Sequence, residues 1–386
     1  MNEATLEQIR RHRQDDVRQL ALKGMDPLVV QQIAGWQVAR TKVPSWAEVE
    51  GLHYPRHLSL EQCSSEQTAR YKASLLSPGD TFVDLTGGFG VDFFFMSQPF
   101  QRRVYVEQQQ ELCDIARHNF DLLNHPCTVV CGSATEYLQQ MPHASAIYID
   151  PARRDAHGAR TYSISDCTPN VLELQELLVK KADRVIIKLS PMLDWHKAAS
   201  DLQHISAIHI VSVQNECKEL LLVLADGAMS EAPVVCINLL ADGTHQRFEY
   251  NPATNAQSAN VNAKVNATYL YEPNASIMKA GCFDEIGNFY QICKLSANSH
   301  LYVSDHEVKD FPGRGFQIMS IPSMNKRELK EALRDIDRAN ITVRNFPMNA
   351  EALRKRLRLK DGGDLYIFAT TVGDGSHQLF ICRKIV

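Results

Sequence analysis

The sequence lacks any long apolar run. The longest, Leu220 to Ala225, is far short of the roughly 20 residues that a membrane-spanning helix requires. The N-terminus also lacks the apolar core of a secretory signal, since charged residues recur from Glu3 to Arg13. The ten cysteines include no CxxC pair and no His/Cys cluster at zinc spacing. We therefore expect a cytoplasmic protein with reduced thiols, no membrane segment and no bound metal.

A strong excess of one charge is also missing. The formal net charge is −4, so any binding to nucleic acid must come from a local basic surface. The hydrophobic fraction of 44% and the charged fraction of 22% are typical of a soluble globular protein. Because single cores stop growing at roughly 250 residues, a chain of 386 residues is expected to form two or three domains.

Hydrophobic periodicity predicts an α/β fold behind a helical N-terminal region. Residues 1–76 are predicted to be helical, with a helix from about 65 to 75 that Ser64 caps. From Thr81 short β-rich runs alternate with helices, which indicates a seven-stranded Rossmann-like parallel sheet over residues 77–228. The seventh strand is expected to join antiparallel at the edge. The predicted strands are Thr81–Leu85, Arg103–Glu107, Thr128–Cys131, Ser145–Ile149, Arg184–Lys188, Ile208–Val213 and Glu219–Leu224.

The C-terminal third has a different texture. Residues 229–312 are predicted to form a linker and a small β-rich domain, with a ferredoxin-like fold as one option, and the Asn/Ala/Ser-rich stretch 251–266 is predicted as a loop. Residues 313–386 are predicted to form a small α+β domain in the order βαβαββ, with helices at 326–339 and 350–359.

The strongest motif runs from Phe82 to Asp92, a buried strand whose glycine-rich turn opens a helix. Glycines allow a ligand to approach the backbone closely. The candidate cofactor residues are therefore Asp84, Thr86, Gly87, Gly88 and Gly90. The competing dinucleotide fingerprint GxGxxG is incomplete, because Phe93 occupies its third glycine position.

Two later strand ends support nucleoside binding. Glu107 ends the next strand, where a carboxylate can accept hydrogen bonds from two ribose hydroxyls. Ser133 follows the third strand and is a candidate for contact with an adenine. Dinucleotide-binding domains and other nucleoside-binding α/β folds both place an acid at this position. Glu107 therefore supports nucleoside binding in general but does not show which of these folds is present.

Asp150 and Pro151 end the central fourth strand, where open α/β sheets place their active sites. A dehydrogenase has no reason to place an Asp-Pro pair there. We therefore name Asp150, Pro151 and Arg153 as candidate catalytic residues, and Arg154 as a candidate contact for a phosphate of the substrate.

Taken together, Asp84–Gly90, Glu107 and Asp150–Arg154 resemble class I S-adenosylmethionine-dependent methyltransferases. The fuller set of motifs resembles the bacterial methyltransferases with a THUMP-like C-terminal domain. Those motifs are Glu61–Ala69, Asp150–Arg154, Lys188–Pro191, Asn215–Leu220 and Tyr271–Asn274. The resemblance implies S-adenosylmethionine as cofactor, RNA as substrate, a THUMP-like domain at 313–386, and an acid at 150 that accepts hydrogen bonds from a target nitrogen.

Two departures limit the chemistry. Amino-methylating enzymes usually have Asp-Pro-Pro and then an aromatic that stacks on the flipped base, whereas this chain has Ala152 and Arg153. Uracil-C5 methyltransferases need a nucleophilic cysteine at the end of the fifth strand, where this chain has Lys188–Pro191. Cys217, at the end of the sixth predicted strand, could substitute, although a cysteine in a turn is usually inert.

A basic stretch between Arg344 and Lys360 is the candidate RNA surface. On the predicted helix 350–359, Arg354 and Arg358 share a face, and Lys355 lies beside them. A solvated helix face is the alternative interpretation. The predicted function is thus methylation of a base in RNA. The alternatives are a protein or small-molecule methyltransferase, or a non-catalytic RNA-binding protein with a methyltransferase-like fold.

Overall fold

A computed structural model describes residues 1–153, 164–228, 231–253 and 267–385, apart from the side chains of residues 57–59 and 153. The chain divides into two compact units, Met1–His209 with Lys218–Ala232 and Ile210–Cys217 with Pro233–Val386. Most of the predicted loop at 251–266 lies outside the described residues.

The N-terminal region is helical, as its periodicity predicts. Aspartate or asparagine side chains cap three of its helices by accepting a hydrogen bond from a first-turn amide. Leu20, Val29 and Ile33 form a small buried cluster. The helices are α1 (Glu3–His12), α2 (Val17–Leu22), α3 (Pro27–Lys42), α4 (Pro44–Ala47), α5 (His57–Gln62) and α6 (Glu66–Ser74).

The predicted cap of α6 was wrong by one residue. Ser65 is the N-cap, and its hydroxyl oxygen accepts a hydrogen bond from the Thr68 amide. Ser64 is buried instead and bonds to charged side chains described below. Serine caps helices because its oxygen reaches a free amide, and two adjacent serines made the position ambiguous.

A large sheet follows, with helices between its strands. It contains β1 (Gly79–Asp84), β2 (Phe100–Glu107), β3 (Thr128–Cys131), β4 (Ala144–Ile149), β7 (Ala182–Leu189), β8 (Ile205–Val213), β9 (Glu216–Leu224), β10 (Val234–Leu239) and β11 (His245–Tyr250). The short strands β5 (Ala152–Arg153) and β6 (Cys167–Thr168) pair separately, after β4. The helices are α7 (Val91–Met96), α8 (Gln110–Leu122), α9 (Ala134–Gln140), α10 (Val171–Lys181) and α11 (Trp195–Asp201), with a 3-10 turn at Ile164–Asp166.

The strand order is β11-β10-β8-β9-β7-β4-β1-β2-β3, so the predicted count of seven strands was wrong: the sheet has nine. The seventh strand, β9, also does not lie at the edge, because it inserts antiparallel between β7 and β8. Its residues Leu220–Leu224 are all buried, and a fully buried strand needs neighbours on both sides. The two extra strands continue the sheet beyond β8.

A second sheet has the order β13-β14-β12-β15-β18-β17-β16. Its elements are β12 (Tyr269–Pro273), α12 (Ala275–Ala280), α13 (Phe283–Phe289), β13 (Cys293–Lys294), β14 (Tyr302–Ser304), β15 (Gly313–Ser320), α14 (Lys326–Ala332), β16 (Asn340–Arg344), α15 (Ala350–Leu357), β17 (Leu365–Thr371) and β18 (His377–Lys384). From β15 onward the order is βαβαββ, as predicted. Alternate residues of β17 and β18 point into two separate cores, Phe368 and Phe380 into one and Ile367 and Ile381 into the other.

Both predicted C-terminal helices are shorter than expected. The helix expected at 326–339 ends at Ala332, and the one expected at 350–359 ends at Leu357. Arg358 adopts the left-handed conformation (φ 59°) that closes α15. Arg354 and Arg358 therefore do not lie on successive turns of one helix, contrary to the prediction.

Candidate active site

The glycine turn joins β1 to α7, and glycine is required at its positions for different reasons. A Cβ on Gly87 would lie 2.1 Å from a ring carbon of Tyr105, and one on Gly90 would lie 2.7 Å from the ring of Phe120. These two glycines therefore make room for the protein's own rings. Gly88 has φ +54°, and a Cβ there would make only an ordinary contact, 3.8 Å from the Thr86 carbonyl oxygen. Of the three predicted glycines, Gly88 is therefore the one whose space is not filled by a ring of the protein, and it is the candidate for close approach by a ligand.

The Glu107 side chain accepts hydrogen bonds from the backbone that follows two strands, β1 and β2. Its Oε2 accepts a hydrogen bond from the Gly88 amide at 3.0 Å, and its Oε1 accepts one from the Gln109 amide at 2.9 Å. The residue is buried at the end of β2. Each carboxylate oxygen has a second lone pair, so the fixed carboxylate can still accept a hydroxyl on each oxygen.

Ser133 follows Gly132, whose backbone is hydrogen-bonded to the backbone of Glu107. The Gly132 amide donates to the Glu107 carbonyl at 2.9 Å, which joins the end of β3 to the end of β2. Ser133 then caps α9, with its hydroxyl accepting from the Glu136 amide at 3.4 Å. Gly88 and the two predicted nucleoside contacts, Glu107 and Ser133, therefore lie along one connected edge of the sheet.

Asp84 is a buried carboxylate with one oxygen to spare. Its Oδ1 accepts a hydrogen bond from the Thr86 amide at 2.9 Å, while Oδ2 is buried and has no hydrogen-bond partner in the part of the chain described. Burial raises the pKa of Asp84 well above its usual range. An unpaired buried carboxylate oxygen is costly, so its presence beside the glycine turn indicates a place for a ligand donor.

Asp150 lies directly against the glycine turn. Its backbone amide donates to the Thr86 hydroxyl at 2.6 Å, and its carboxylate forms an ion pair with Lys188 at the end of β7. Burial raises the pKa of Asp150, and the Lys188 ammonium opposes that rise. Pro151 is buried after it. Arg153 is the second residue of β5, whereas Arg154 lies outside the described residues.

A buried ionic network lies beneath this position, and sequence reasoning missed it. Lys72 on α6 is completely buried, and its Nζ lies 2.6 Å from Glu219 Oε2 and 3.1 Å from Asp92 Oδ1. It also donates to the Ser64 hydroxyl at 3.0 Å. Tyr148 on β4 donates to Asp92 Oδ2 at 2.7 Å. The signal in the sequence was a lysine on the same helical face as Thr68 and Ala69, inside the helix predicted from about 65 to 75.

Lys188 is the second lysine in this region. Burial lowers its pKa, but the carboxylates of Asp150, Glu219 and Asp92 outweigh burial and leave the pKa of Lys188 raised. It is therefore a stable cation beside Asp150. In the sequence, Lys188 begins one of the family motifs, Lys188–Pro191, and occupies the place of a nucleophilic cysteine, but no pattern there predicts its pairing with Asp150.

The predicted RNA contacts on α15 are partly engaged with acids. Arg354 forms an ion pair with Asp361, and Lys355 forms one with Glu351 at 2.9 Å. Lys355 and Glu351 are both exposed, and such surface pairs are weak.

Family models match the C-terminal part of the chain. A ferredoxin-like domain model matches residues 269–312, and a THUMP domain-like model matches residues 313–384. Over the whole chain, a Porphyromonas gingivalis W83 protein that is assigned as a methyltransferase and known from its crystal structure is 33% identical. Its TM-score is 0.87, and the match covers 99% of this chain and 98% of that chain.

The chain belongs to the class I S-adenosylmethionine-dependent methyltransferases with a THUMP-like C-terminal domain. The methyltransferase is also similar to an uncharacterized S-adenosylmethionine-dependent methyltransferase of Mycobacterium tuberculosis, from strains H37Rv and CDC 1551. The two sequences are 23% identical over 335 residues, which cover 84% of this chain and 87% of the relative. The predictions of an enzyme and of S-adenosylmethionine as its cofactor are therefore confirmed.

Within the described residues of the methyltransferase, no helix is long and apolar enough to cross a membrane. The same residues contain no group of three His, Cys, Asp or Glu side chains that could hold a metal ion.

Proposed function

We propose that this methyltransferase transfers the methyl group of S-adenosylmethionine to RNA, with the acceptor atom aligned at Asp150 and Pro151. The observation that carries the proposal is the 2.6 Å hydrogen bond from the Asp150 amide to Thr86. It fixes the candidate acceptor-binding acid against the turn that follows β1. Alignment of two reactants in this way can supply much of the rate enhancement of a group transfer.

The residues around the glycine turn suit the cofactor. Asp84 Oδ2 would accept the ammonium of the methionine part, Gly88 would admit its chain, and Glu107 would accept the ribose hydroxyls. Ser133 and the adjacent backbone would lie at the adenine. When bound, S-adenosylmethionine supplies a methyl group activated by a sulfonium. The protein's part is to bind that group with these polar atoms and to hold the acceptor at Asp150.

RNA as the substrate is supported by the THUMP-like match over residues 313–384. We propose that Lys355 and Arg358 contact phosphates, and that Arg354 does so where RNA replaces its acidic partner. Arg153 and Arg154, which follow Asp150 in the sequence, are proposed as further phosphate contacts. We further propose the division of labour expected from sequence: a helical region at 1–76, a cofactor domain at 77–228, a linker and small domain at 229–312, and an RNA-holding domain at 313–386. A cytoplasmic location fits the ten free cysteines.

The test is transfer of tritium from labelled S-adenosylmethionine to total RNA from a strain that lacks the gene. We expect label in RNA with the wild-type enzyme and its loss with Asp150→Ala. Asp183→Ala is the matched control, because Asp183 is an exposed aspartate on β7 that pairs only loosely, at 3.7 Å, with His143. Label in protein or in small molecules, with none in RNA, would refute the proposal.

A further inference from the structure

Two lysine–carboxylate pairs meet where the acceptor should bind. Asp150 pairs with Lys188, and Lys72 pairs with Glu219 at 2.6 Å. Asp92 joins the two pairs, since it contacts Lys72 at 3.1 Å and raises the pKa of Lys188. The side chain of Asp150 is 35% exposed, that of Lys188 is 13% exposed and that of Lys72 is completely buried. The pair at 150 and 188 thus faces the accessible side, with the other pair behind it.

An ammonium group at this point is poorly suited to an amine acceptor. Methylation of a neutral amine places a positive charge on the nitrogen, and Lys188 would repel that charge at short range. Asp150 also has less capacity to accept hydrogen bonds from an amine, since its Oδ2 already accepts one from the Lys188 ammonium. An acceptor that loses a proton as it is methylated would develop negative charge, which a nearby cation stabilises.

The described residues after Asp150 also offer little for an extruded base. Ala152 stands where amino-methylating enzymes carry the second proline, and Arg153 stands where they carry the aromatic that stacks on the base. In RNA, the acceptor that carries an ionisable O–H and needs no base extrusion is the ribose 2′-hydroxyl. The hydroxyl is present on every internal nucleotide.

We propose, on the basis of the RNA methylation proposed above, that the acceptor atom is a ribose 2′-hydroxyl oxygen and that Lys188 is the cation that stabilises it. The oxygen forms the bond to the methyl carbon while the bond from that carbon to sulfur breaks, and sulfur keeps the electron pair. The hydroxyl proton passes to the Asp150 carboxylate and then to solvent. The products are 2′-O-methyl RNA, S-adenosylhomocysteine and one proton, so charge and atoms balance.

Lys72, Glu219 and Asp92 act as positioning residues in this scheme. Glu219 and Asp92 hold Lys188 in its charged form, and Lys72 keeps these two buried carboxylates from being left uncompensated. Ser64 and Tyr148 both donate a hydrogen bond to Asp92 Oδ2, and the Lys72 ammonium lies 3.1 Å from Oδ1. Four different elements of the fold (α6, α7, β4 and β9) therefore support the cation at position 188.

The test is a chemical one on the labelled RNA described above. Alkali cleaves RNA through attack by the 2′-hydroxyl, so a 2′-O-methyl group blocks cleavage and leaves the label in dinucleotides. We expect the tritium in alkali-stable dinucleotides that yield 2′-O-methyl nucleosides after enzymatic digestion. Label in base-methylated mononucleotides would overturn the hydroxyl assignment and leave RNA methylation intact. No label in RNA, from enzyme that binds S-adenosylhomocysteine in calorimetry, would refute RNA methylation and this inference together.

Variants of Lys188 test its charge. Lys188→Met keeps the length of the stem and should lower the single-turnover rate about 100-fold or more, the usual loss when a group that stabilises an oxyanion is removed. The affinity for S-adenosylhomocysteine should stay within about twofold, since Lys188 lies at the acceptor end. Lys188→Arg keeps the charge and should restore part of the rate, which a purely structural role would not predict. Lys197→Met is the control, on the exposed Lys197–Asp201 pair of α11. A near-normal rate for Lys188→Met would overturn the role of the cation.

Discussion

Replacing Asp84 with asparagine should stabilise the free protein and weaken its affinity for the cofactor. The asparagine would keep an oxygen for the Thr86 amide and would put an amide group where the unpartnered Oδ2 now lies. The bound cofactor would then lose a charged acceptor for its ammonium. A hydrogen bond to a charged group contributes about 1.5–3 kcal/mol, so the dissociation constant of S-adenosylmethionine should rise about 10- to 150-fold.

The stability effect of the same substitution depends on pH. Burial raises the folded-state pKa of Asp84 above the value in the unfolded chain, so folding favours the protonated acid. The contribution of that acid to stability is fully present below the unfolded value near 3.8 and is lost as pH rises through the higher folded value. Because asparagine cannot ionise, Asp84→Asn should gain stability over the wild type progressively as pH increases from about 4.

The assay combines calorimetric titration of S-adenosylmethionine with urea denaturation of the free protein at pH 5 and pH 8. We expect weaker binding, and a stability difference that is larger at pH 8. Asp80→Asn, an exposed change at the other end of β1, is the control for the loss of one carboxylate. Unchanged affinity would remove Asp84 from the cofactor site, and a variant less stable than the wild type at pH 8 would refute the argument from burial.

Four further outcomes are expected. Glu107→Ala should weaken S-adenosylmethionine binding by about 1–3 kcal/mol in calorimetry, because Gly88 and the ribose lose an acceptor; unchanged affinity would exclude Glu107. Asp150→Ala should lower single-turnover methylation about 10²-fold with little change in cofactor affinity; near-normal turnover would contradict its assignment. Cys217→Ser should leave methyl transfer largely intact, and an RNA adduct trapped by 5-fluorouracil-substituted RNA and lost in that variant would show otherwise. Lys72→Met should destabilise the fold by about 3–5 kcal/mol in urea denaturation, because Asp92 and Glu219 are left as buried, unpaired acids; a loss under about 1 kcal/mol would mean that solvent reaches them.

Features that depend on short stretches of sequence could be predicted, and those that depend on distant partners could not. The strand ends at Asp84, Glu107 and Asp150 follow from alternation and turn chemistry, and the structure places all three at the ends of strands that are neighbours in the sheet, β1, β2 and β4. The reason for glycine at position 90 could not be predicted from the local sequence. The ring that leaves no room for a Cβ there belongs to Phe120, on the next helix.

The position of β9 and the buried ionic network could not be predicted, and the physical reason is the same for both. A hairpin reads as an edge feature when only its two strands are considered, yet β9 pairs with β7, although α11 and β8 separate the two strands in the chain. Lys72 likewise looks like an ordinary helical lysine until Glu219 is brought to it, 147 residues later. Ionic partners that lie so far apart in the chain leave no local pattern in the sequence.

The burial of Lys72 bears on how the protein can be divided. α6 precedes the first strand of the sheet, so a fragment that starts at residue 77 would carry the whole glycine turn and Asp150 but would lack this lysine. Asp92 and Glu219 are both buried and would then lose the ammonium that pairs directly with each of them. Such a fragment would have to take up protons or open toward water to compensate for that loss. We therefore expect a cofactor domain that folds on its own to need more than the proposed residues 77–228 and to begin before Ser64, inside what the helical periodicity alone marks as a separate N-terminal region.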